Sequence, residues 1–239
     1  MPVDLLLSDK VYSDRDKVSR QAIKTRTWMK FAFLVFSAIS IEKFIKNRTK
    51  EKVLLNATQD LKRDHLTLKR VRNIAQRCSE KLYSDKNIPF EDLKIISVVI
   101  EEFVDKFHHG KEEQAYFPET NNKDNFSEDI RKFLIEHELG RRIARMFLRN
   151  LKTWKENGEK DSREPLARFL KSYSVFITDH TGKEDKFFDI IEEKSILSEH
   201  ENEALVRHFE SCRNQVGGPA RIEQMMRLIE YLEGREWMR

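Results

Sequence analysis

The residues most able to do chemistry in this chain are histidines and glutamates that occur as one set in two copies. The two copies are His65, His108 and Glu112, then His137, His180 and Glu184. In both copies the histidines are 43 residues apart, and the glutamate follows the second histidine by four residues. A histidine and a glutamate four residues apart lie on the same face of an α-helix. The spacing therefore predicts two helices that each present a His–Glu pair, and two partner helices that each present one histidine.

Neutral imidazole and carboxylate groups together suit iron, manganese or zinc, and a set without thiolate argues against a structural zinc finger. Four such helices can hold a pair of metal ions in the core of a bundle. One carboxylate from each copy can bridge the two ions, which leaves each ion with two nitrogens and shared oxygens. That set is incomplete for iron, so water, hydroxide, O₂ or NO can take the remaining positions. We expect a non-haem site for two iron ions, with manganese or zinc less favoured.

The remaining histidines are expected to play other parts. On an α-helix His109 is rotated by about 100° from its neighbour, so it should point elsewhere, at the rim of the site or behind the ligands. Glu113 has the same expected position. An alternative register, with His109 and Glu113 as the ligands, stays open. His200 and His208 are expected at the surface of a C-terminal helix.

Four amphipathic segments must position these residues. Their apolar residues recur in steps of three and four, as helices require, over about 50–83, 91–117, 127–155 and 164–193. In each segment the metal-type residues share the apolar face, where an unpaired charge is costly. One position differs between the copies: Gly140 stands one turn after its histidine, where the first copy has Leu68. We hypothesise that Gly140 leaves open volume beside one metal ion; close helix packing is the alternative.

Composition excludes several classes of protein. The 239 residues include 45 basic and 41 acidic residues that are interleaved, for a net charge of +4, so no basic patch for nucleic acid is expected. The longest apolar run, residues 31–41, is too short to span a membrane as a helix. Cys78 and Cys212 share no CxxC motif, which indicates a reducing compartment and hence a cytoplasmic protein. Cys78 lies on an apolar stripe and should be a buried free thiol.

The predicted domain organisation has three parts: an N-terminal helical extension over residues 1–49, a four-helix bundle over 50–195 and a C-terminal helical extension over 196–239. The N-terminal helix, about 13–48, should pack against the bundle or against a dimer partner. In the C-terminal part, the residues from Ser198 to Glu201 fit a capping box. That helix is expected to break at residues 217–219 and to resume over 221–237. A homodimer through the flanking helices is compatible with this organisation.

Several short motifs resemble the hemerythrin-like (HHE cation-binding) domain family. They are Asp64-His65, the run from His108 to Glu113 leading to Tyr116-Phe117-Pro118, Glu136-His137, Asp179-His180 and Lys183-Glu184. The resemblance covers roughly residues 50–193. It implies an all-α fold, an up-down-up-down four-helix bundle, to which the sequence adds the predicted extra N-terminal and C-terminal helices; the N-terminal residues, about 1–48, match no part of the family. It also implies an oxo- or hydroxo-bridged, carboxylate-bridged di-iron centre of Fe²⁺ or Fe³⁺ ions.

The resemblance also bears on which of the family's functions this chain has. Oxygen-carrying hemerythrins use five histidines and two carboxylates, whereas this chain offers four and two, because Phe133 and Arg141 flank His137 at the positions one turn away. The set is more similar to iron–sulfur-cluster repair proteins linked to nitric oxide stress, although their N-terminal cysteine-bearing domain is missing. Tyr116 or Tyr173 could add a ligand; both also fit ordinary core packing.

We therefore expect a protein that binds O₂, NO or a related small ligand for sensing, scavenging or iron handling, rather than a dedicated enzyme, and we assign no catalytic residue. The alternative is a di-iron oxidoreductase that decomposes peroxide or NO, or an iron–sulfur-cluster repair protein. A helical module whose metal site is vestigial is a third interpretation. Metal content and turnover with excess peroxide or NO distinguish these functions.

Overall fold

A computed structural model describes residues 56–157 and 163–239, all of which belong to one compact unit, Leu55–Arg239. Apart from one segment described next, the helices are α1 (Ala57–Tyr83), α4 (Ser127–Asn157), α5 (Arg163–Glu193), α6 (Glu199–Gln215) and α7 (Gly218–Glu233), followed by a 3₁₀ turn at Glu236–Met238. Within these ranges every regular element is helical. The predicted N-terminal helix lies outside the described residues.

The second bundle helix, residues 90–120, changes its winding along its length. It starts as α2 (Phe90–Val99), continues as π-helical turns over Ile100–His109 and Glu112–Tyr116, and ends as α3 (Phe117–Thr120). In a π-helix the backbone hydrogen bond joins residues five apart, and such turns are rare and often found at functional sites. Two of the six expected site residues, His108 and Glu112, lie on this π-helical stretch.

Side-chain contacts show that neighbouring bundle helices are antiparallel. Between α1 and α5, Lys62 contacts Asp189 and Ser79 contacts Ala167, so residue numbers rise along one helix as they fall along the other. The other neighbouring helices are joined in the same sense by Thr58–Tyr116 and Asp64–His108, by Glu113–His137 and Asp105–Arg141, and by Glu136–His180 and Phe133–Phe187. The predicted up-down-up-down bundle is thus confirmed for the described residues.

The apolar core is divided into two clusters with the histidines and glutamates between them. On α1, Leu61 belongs to one cluster and Leu68 to the other, and His65 lies between them. On α5, Phe187 and Phe176 flank His180 in the same way. The six predicted site residues therefore occupy a layer that is sealed above and below by apolar side chains.

Local sequence explains where several helices begin and end. The side chain of Asn56 accepts a hydrogen bond from the backbone N–H of Gln59 at 2.7 Å, which caps α1. The predicted capping box of α6 is present, because Ser198 and Glu201 bond to each other's backbone N–H groups. The predicted break follows at Gly217, whose φ of +104° suits glycine.

The C-terminal helices lie against α1 and the second bundle helix. Arg221 of α7 binds Glu102 at 2.6 Å, and Glu233 at the end of α7 binds Arg70 at 2.7 Å. The buried carboxylate of Asp92 accepts a hydrogen bond of 2.7 Å from the indole N–H of Trp237. None of the helices in the described residues is long and apolar enough to cross a lipid bilayer.

Candidate metal centre

The structure brings the six predicted residues together in the middle of the bundle. They are His65, His108, Glu112, His137, His180 and Glu184, and all six are buried. Their inward-facing atoms are the Nε2 atoms of the four histidines and all four carboxylate oxygens. Among the described residues none of these eight atoms has a hydrogen-bond partner. A buried polar group without a partner is costly, so this cluster requires something else to satisfy it.

Each glutamate faces histidines from both halves of the bundle. Glu112 places Oε1 3.4 Å from Nε2 of His108 and Oε2 3.5 Å from Nε2 of His137. Glu184 places its two oxygens 3.4 Å from Nε2 of His65 and 3.4 Å from Nε2 of His137. It also lies 3.2 Å from Nε2 of His180. Both carboxylates thus occupy bridging positions.

These separations fit a pair of cations. Ligand atoms that bind one ion at about 2 Å are roughly 3 Å apart when their bonds are near right angles. Four atoms, one each from His65, His108, Glu112 and Glu184, lie within 4.8 Å of one another. His137 and His180 form the other side, together with the second oxygen of Glu112. The donor set of nitrogen and carboxylate oxygen suits iron, manganese or zinc.

Each of the four imidazoles has a carboxylate at its outer nitrogen. The Nδ1 contacts are His65–Asp185 at 2.6 Å, His108–Asp64 at 3.3 Å, His137–Glu113 at 2.7 Å and His180–Glu136 at 3.0 Å. Such a carboxylate holds the proton on Nδ1 and turns the Nε2 lone pair toward the cluster, as in many metal-binding histidines. Of these four residues only Glu113 was expected behind the ligands; the other three were not assigned this part, although each stands next to a predicted ligand.

The backing carboxylates are in turn neutralised by basic side chains. The contacts are Lys69–Asp185 at 3.3 Å, Lys111–Asp64 at 2.6 Å, Arg141–Glu113 at 2.7 Å and Lys183–Glu136 at 2.6 Å. Lys111 is buried and also binds Asp60 at 2.5 Å. Every imidazole therefore lies at the inner end of a cation–carboxylate–histidine chain.

The electrostatics of the interior favour added positive charge. Burial and the negative charge of Glu184 raise the pKa of Glu112 well above its usual range. Although burial opposes it, the hydrogen bond to Asp185 and the charge of Glu184 raise the pKa of His65 to about 9. By contrast, burial and the nearby His65 hold the pKa of His108 well below its usual value, so it stays a neutral donor. Two bound cations would stabilise both carboxylates in their charged form.

His109 does not point away from the site, and that prediction was wrong. Its ring is buried, stacks on His137 with centroids 3.8 Å apart, and has a nitrogen within 4.8 Å of donor atoms of His137 and His180. The physical reason is the π-helical turn, because its wider winding rotates consecutive residues by less than an α-helix does. His108 and His109 can then both face inward. As predicted, His200 and His208 are exposed.

Gly140 allows close helix packing, the alternative to the predicted open volume, although it also lines a cavity of about 250 Å³ on this side of the site. A Cβ atom at Gly140 would lie 2.5 Å from the ring of Phe176, which therefore fills the space. Phe176 stacks on His180 with centroids 5.1 Å apart. The glycine thus allows an aromatic ring to support a histidine of the site.

The two tyrosines occupy different positions. The hydroxyl of Tyr116 pairs with that of Thr58 at 2.6 Å, and burial raises its pKa, which argues against ligation by a phenolate. Tyr173 lies beside Phe176 and lines a cavity of about 250 Å³ between the second bundle helix, α4 and α5. His109 also lines this cavity, which therefore reaches the cluster.

Comparison with known proteins gives one family. The sequence profile of the hemerythrin HHE cation-binding domain matches residues 56–191. Proteins from Mycobacterium bovis and from two strains of Mycobacterium tuberculosis, each described as uncharacterized, are 23% identical over 184 residues. That alignment covers 77% of this chain and 71% of each relative. No solved structure matches the chain.

Proposed function

The chain belongs to the hemerythrin HHE cation-binding domain family, and we propose that it is a non-haem di-iron protein. Its iron ions would bind O₂, NO or a related small ligand for sensing, scavenging or iron handling. The proposed ligands are His65, His108, Glu112, His137, His180 and Glu184. The observation that carries the proposal is the set of eight buried donor atoms, without hydrogen-bond partners among the described residues, in which each of the two carboxylates faces histidines from both halves of the bundle.

Iron would supply open coordination positions and a change of oxidation state. The chain supplies the ligands, their orientation and the exclusion of water. Glu112 and Glu184 would hold both ions, and the backing carboxylates fix the imidazole rings in the ligating tautomer. The apolar clusters on either side exclude bulk water. Ions in such a dry environment interact strongly with a small ligand, because the local dielectric is low.

The cavity beside His109 gives a small molecule a route to the ions. It is lined by His109, Gly140, Ala144, Tyr173 and Phe176 and by charged side chains at its outer end. Its volume of about 250 Å³ exceeds that of a water molecule in the liquid, about 30 Å³, so a diatomic molecule fits. We propose that O₂, NO or peroxide enters from this side.

Metal loading tests the ligand set. Anaerobic addition of Fe²⁺ to the full chain should give two ions per chain, and Glu184→Ala should remove both, because this carboxylate faces both ion positions. Glu193→Ala, at an exposed position of the same helix, is the matched control and should keep both ions. A wild-type chain with less than one ion, or a Glu184→Ala variant that keeps two, contradicts the proposal.

Ligand entry is tested by filling the cavity. Ala144→Phe should slow the binding of NO to the loaded protein by roughly tenfold, equivalent to about 1.4 kcal/mol of barrier, while iron content is unchanged. Val175→Phe adds the same bulk at an exposed site on α5 and should bind NO at the wild-type rate. Equal rates in both variants would exclude this route. Stopped-flow absorbance is the measurement.

A di-iron oxidoreductase is the second candidate, and one observation favours it. The cavity carries Asp105 and Arg141 beside His109, so charged side chains there can hydrogen-bond to a polar substrate such as peroxide. Catalytic turnover of excess peroxide or NO by the loaded protein would support an enzyme. A stable, reversible adduct would support a binding protein.

The remaining proposals concern the cellular location, the domain organisation and the oligomeric state of the protein. Both cysteines, Cys78 and Cys212, are buried free thiols, which is in keeping with a cytoplasmic location. We keep residues 1–49 as a separate N-terminal extension and residues 50–195 as the metal-binding domain. A homodimer through the flanking helices is checked by light scattering of the full chain and of a chain that begins at residue 50; a loss of the dimer in the shorter chain supports it.

A further inference from the structure

His109 has a carboxylate and a cation on its outer side, as the four proposed histidine ligands do, although its contact with the carboxylate is longer. Its Nδ1 lies 3.5 Å from Oδ1 of Asp105, and Asp105 is held by Nε of Arg141 at 2.7 Å. A cation, a carboxylate and an imidazole thus follow one another, as they do behind each proposed ligand. Arg141 also binds Glu113, the carboxylate behind His137. One guanidinium therefore orients two neighbouring imidazoles.

The inner nitrogen of His109 is as unsatisfied as those of the proposed ligands. Nε2, like Nδ1, is buried and has no hydrogen-bond partner in the described ranges. The ligand atoms of His109, His137 and His180 form a group of their own, all within 4.8 Å of one another. We infer that His109 is a third nitrogen ligand of the ion held by His137 and His180.

Only one of the two ions can have this additional ligand, because the second copy of the repeat has no histidine at the equivalent position. In the second copy, the position that corresponds to His109 is Thr181, whose hydroxyl donates a hydrogen bond of 2.8 Å to the backbone oxygen of Ile177. Thr181 is therefore satisfied by its own helix and offers nothing to the other ion. The two ions would differ, with two nitrogens on the ion of His65 and His108 and three on the other.

The simpler explanation is that His109 only stacks on His137. His109→Phe separates the two explanations, since phenylalanine keeps an aromatic ring and removes both nitrogens. The inference rests on the proposed di-iron function, so the wild-type chain is loaded first with ⁵⁷Fe²⁺ under anaerobic conditions. Its Mössbauer spectrum should contain two doublets of equal area. A chain without iron would end both the proposed function and this inference.

Given a loaded wild-type chain, His109→Phe should shift one doublet and leave the other in place. A chelator should remove one of its two ions roughly 10- to 100-fold faster than from wild type, the range known for weakened metal sites. Asp105→Asn keeps the imidazole and weakens its support, so it should move the same doublet by less. Thr181→Val, at the equivalent position, should change neither doublet.

The inference is overturned if both His109→Phe and Asp105→Asn keep the two Mössbauer doublets and the wild-type rate of iron release to the chelator. His109 would then only pack against His137, and the di-iron proposal would stand. Thermal unfolding of the metal-free variants, followed by circular dichroism, shows whether each one folds. If His109→Phe is unfolded, Asp105→Asn decides: a shift of one doublet supports the inference, and two unchanged doublets overturn it.

Discussion

The two halves of the bundle carry the same set of two histidines and one glutamate but are covered differently. Asp64 in the first half backs His108, and Glu136 in the second half backs His180, with 44 residues between the partners in both cases. The outer surfaces diverge. The C-terminal helices lie against the first half, whereas α4 in the second half exposes large apolar residues, including Ile135 and Leu139. The repeat thus preserves the metal-binding geometry while the protection from solvent differs.

Two equivalent lysines show this difference most clearly. The side chain of Lys111 is 1% exposed, binds Asp60 and Asp64, and lies 5.0 Å from the ring centroid of Phe209 on α6. The side chain of Lys183 is 55% exposed and binds Glu136 alone. The same cation–carboxylate–histidine chain is therefore buried in one half and solvated in the other. A buried charge pair is far more sensitive to the loss of one partner.

The largest expected effect on stability comes from replacing the buried lysine, Lys111. Lys111→Met leaves two aspartates without their buried cation, so the free energy of unfolding should fall by about 3–5 kcal/mol. Lys183→Met breaks a solvated contact and should cost about 0–1 kcal/mol. Urea unfolding of the metal-free proteins is the measurement. Similar losses in the two variants would mean that the halves are equally protected.

Substitutions of the two glycines of the second half, Gly140 and Gly182, should change the free energy of unfolding in opposite directions. Both changes should be smaller than that of Lys111→Met. Gly140→Ala forces a Cβ atom against the ring of Phe176, and overpacking of this kind should cost about 1–3 kcal/mol. Gly182 meets nothing within 4 Å among the described residues, so Gly182→Ala should gain up to about 1 kcal/mol from helix propensity. Thermal unfolding of the two variants checks the signs. A stabilised Gly140→Ala variant would contradict the close packing.

The smallest effect concerns the attachment of the C-terminal helices. The hydrogen bonds from Lys123 and Ser198 lower the pKa of Glu201 to about 2. Because the folded pKa is below the unfolded one, the stabilisation is present above about pH 4.3 and is lost as the pH falls toward 2. Glu201→Ala should therefore cost up to about 1 kcal/mol at pH 7, and less at pH 2.

Glu203→Ala, at an exposed position of the same helix, is the control for this pH dependence. Its effect on the free energy of unfolding should be near zero at both pH values. If the cost of Glu201→Ala is the same at pH 7 and pH 2, the carboxylate of Glu201 does not anchor α6.

Periodicity was sufficient to predict the four bundle helices and the convergence of the six residues. Steps of three and four put His65 and His180 on apolar faces, and the fold confirms that placement. It failed at His109, because a rotation of about 100° per residue holds for an α-helix and not for the π-helical turns at Ile100–His109. No local sequence signal that we used distinguishes the two windings.

Of the four backing carboxylates, only Glu113 was predicted to lie behind the ligands, although all four stand next to a predicted ligand in the sequence. Glu113 and Asp185 directly follow the two glutamates, and Asp64 and Glu136 directly precede two histidines. Their partners lie on other helices, so their part depends on how the helices are arranged around the bundle axis. The sequence could not decide between open volume and close packing at Gly140 for a similar reason, since the ring that a Cβ atom there would meet comes from α5.

The chains of alternating charge behind the histidines have a consequence for which molecules the site prefers. Lys69, Lys111, Arg141 and Lys183 neutralise the four outer carboxylates. Two divalent ions would be nearest to the carboxylates of Glu112 and Glu184, while each outer carboxylate is paired with a cation, so a small anion at an open coordination position would meet strong local positive charge in a medium of low dielectric. Small anions such as azide or nitrite should therefore outcompete neutral molecules of equal size, and a competition titration measures that selectivity.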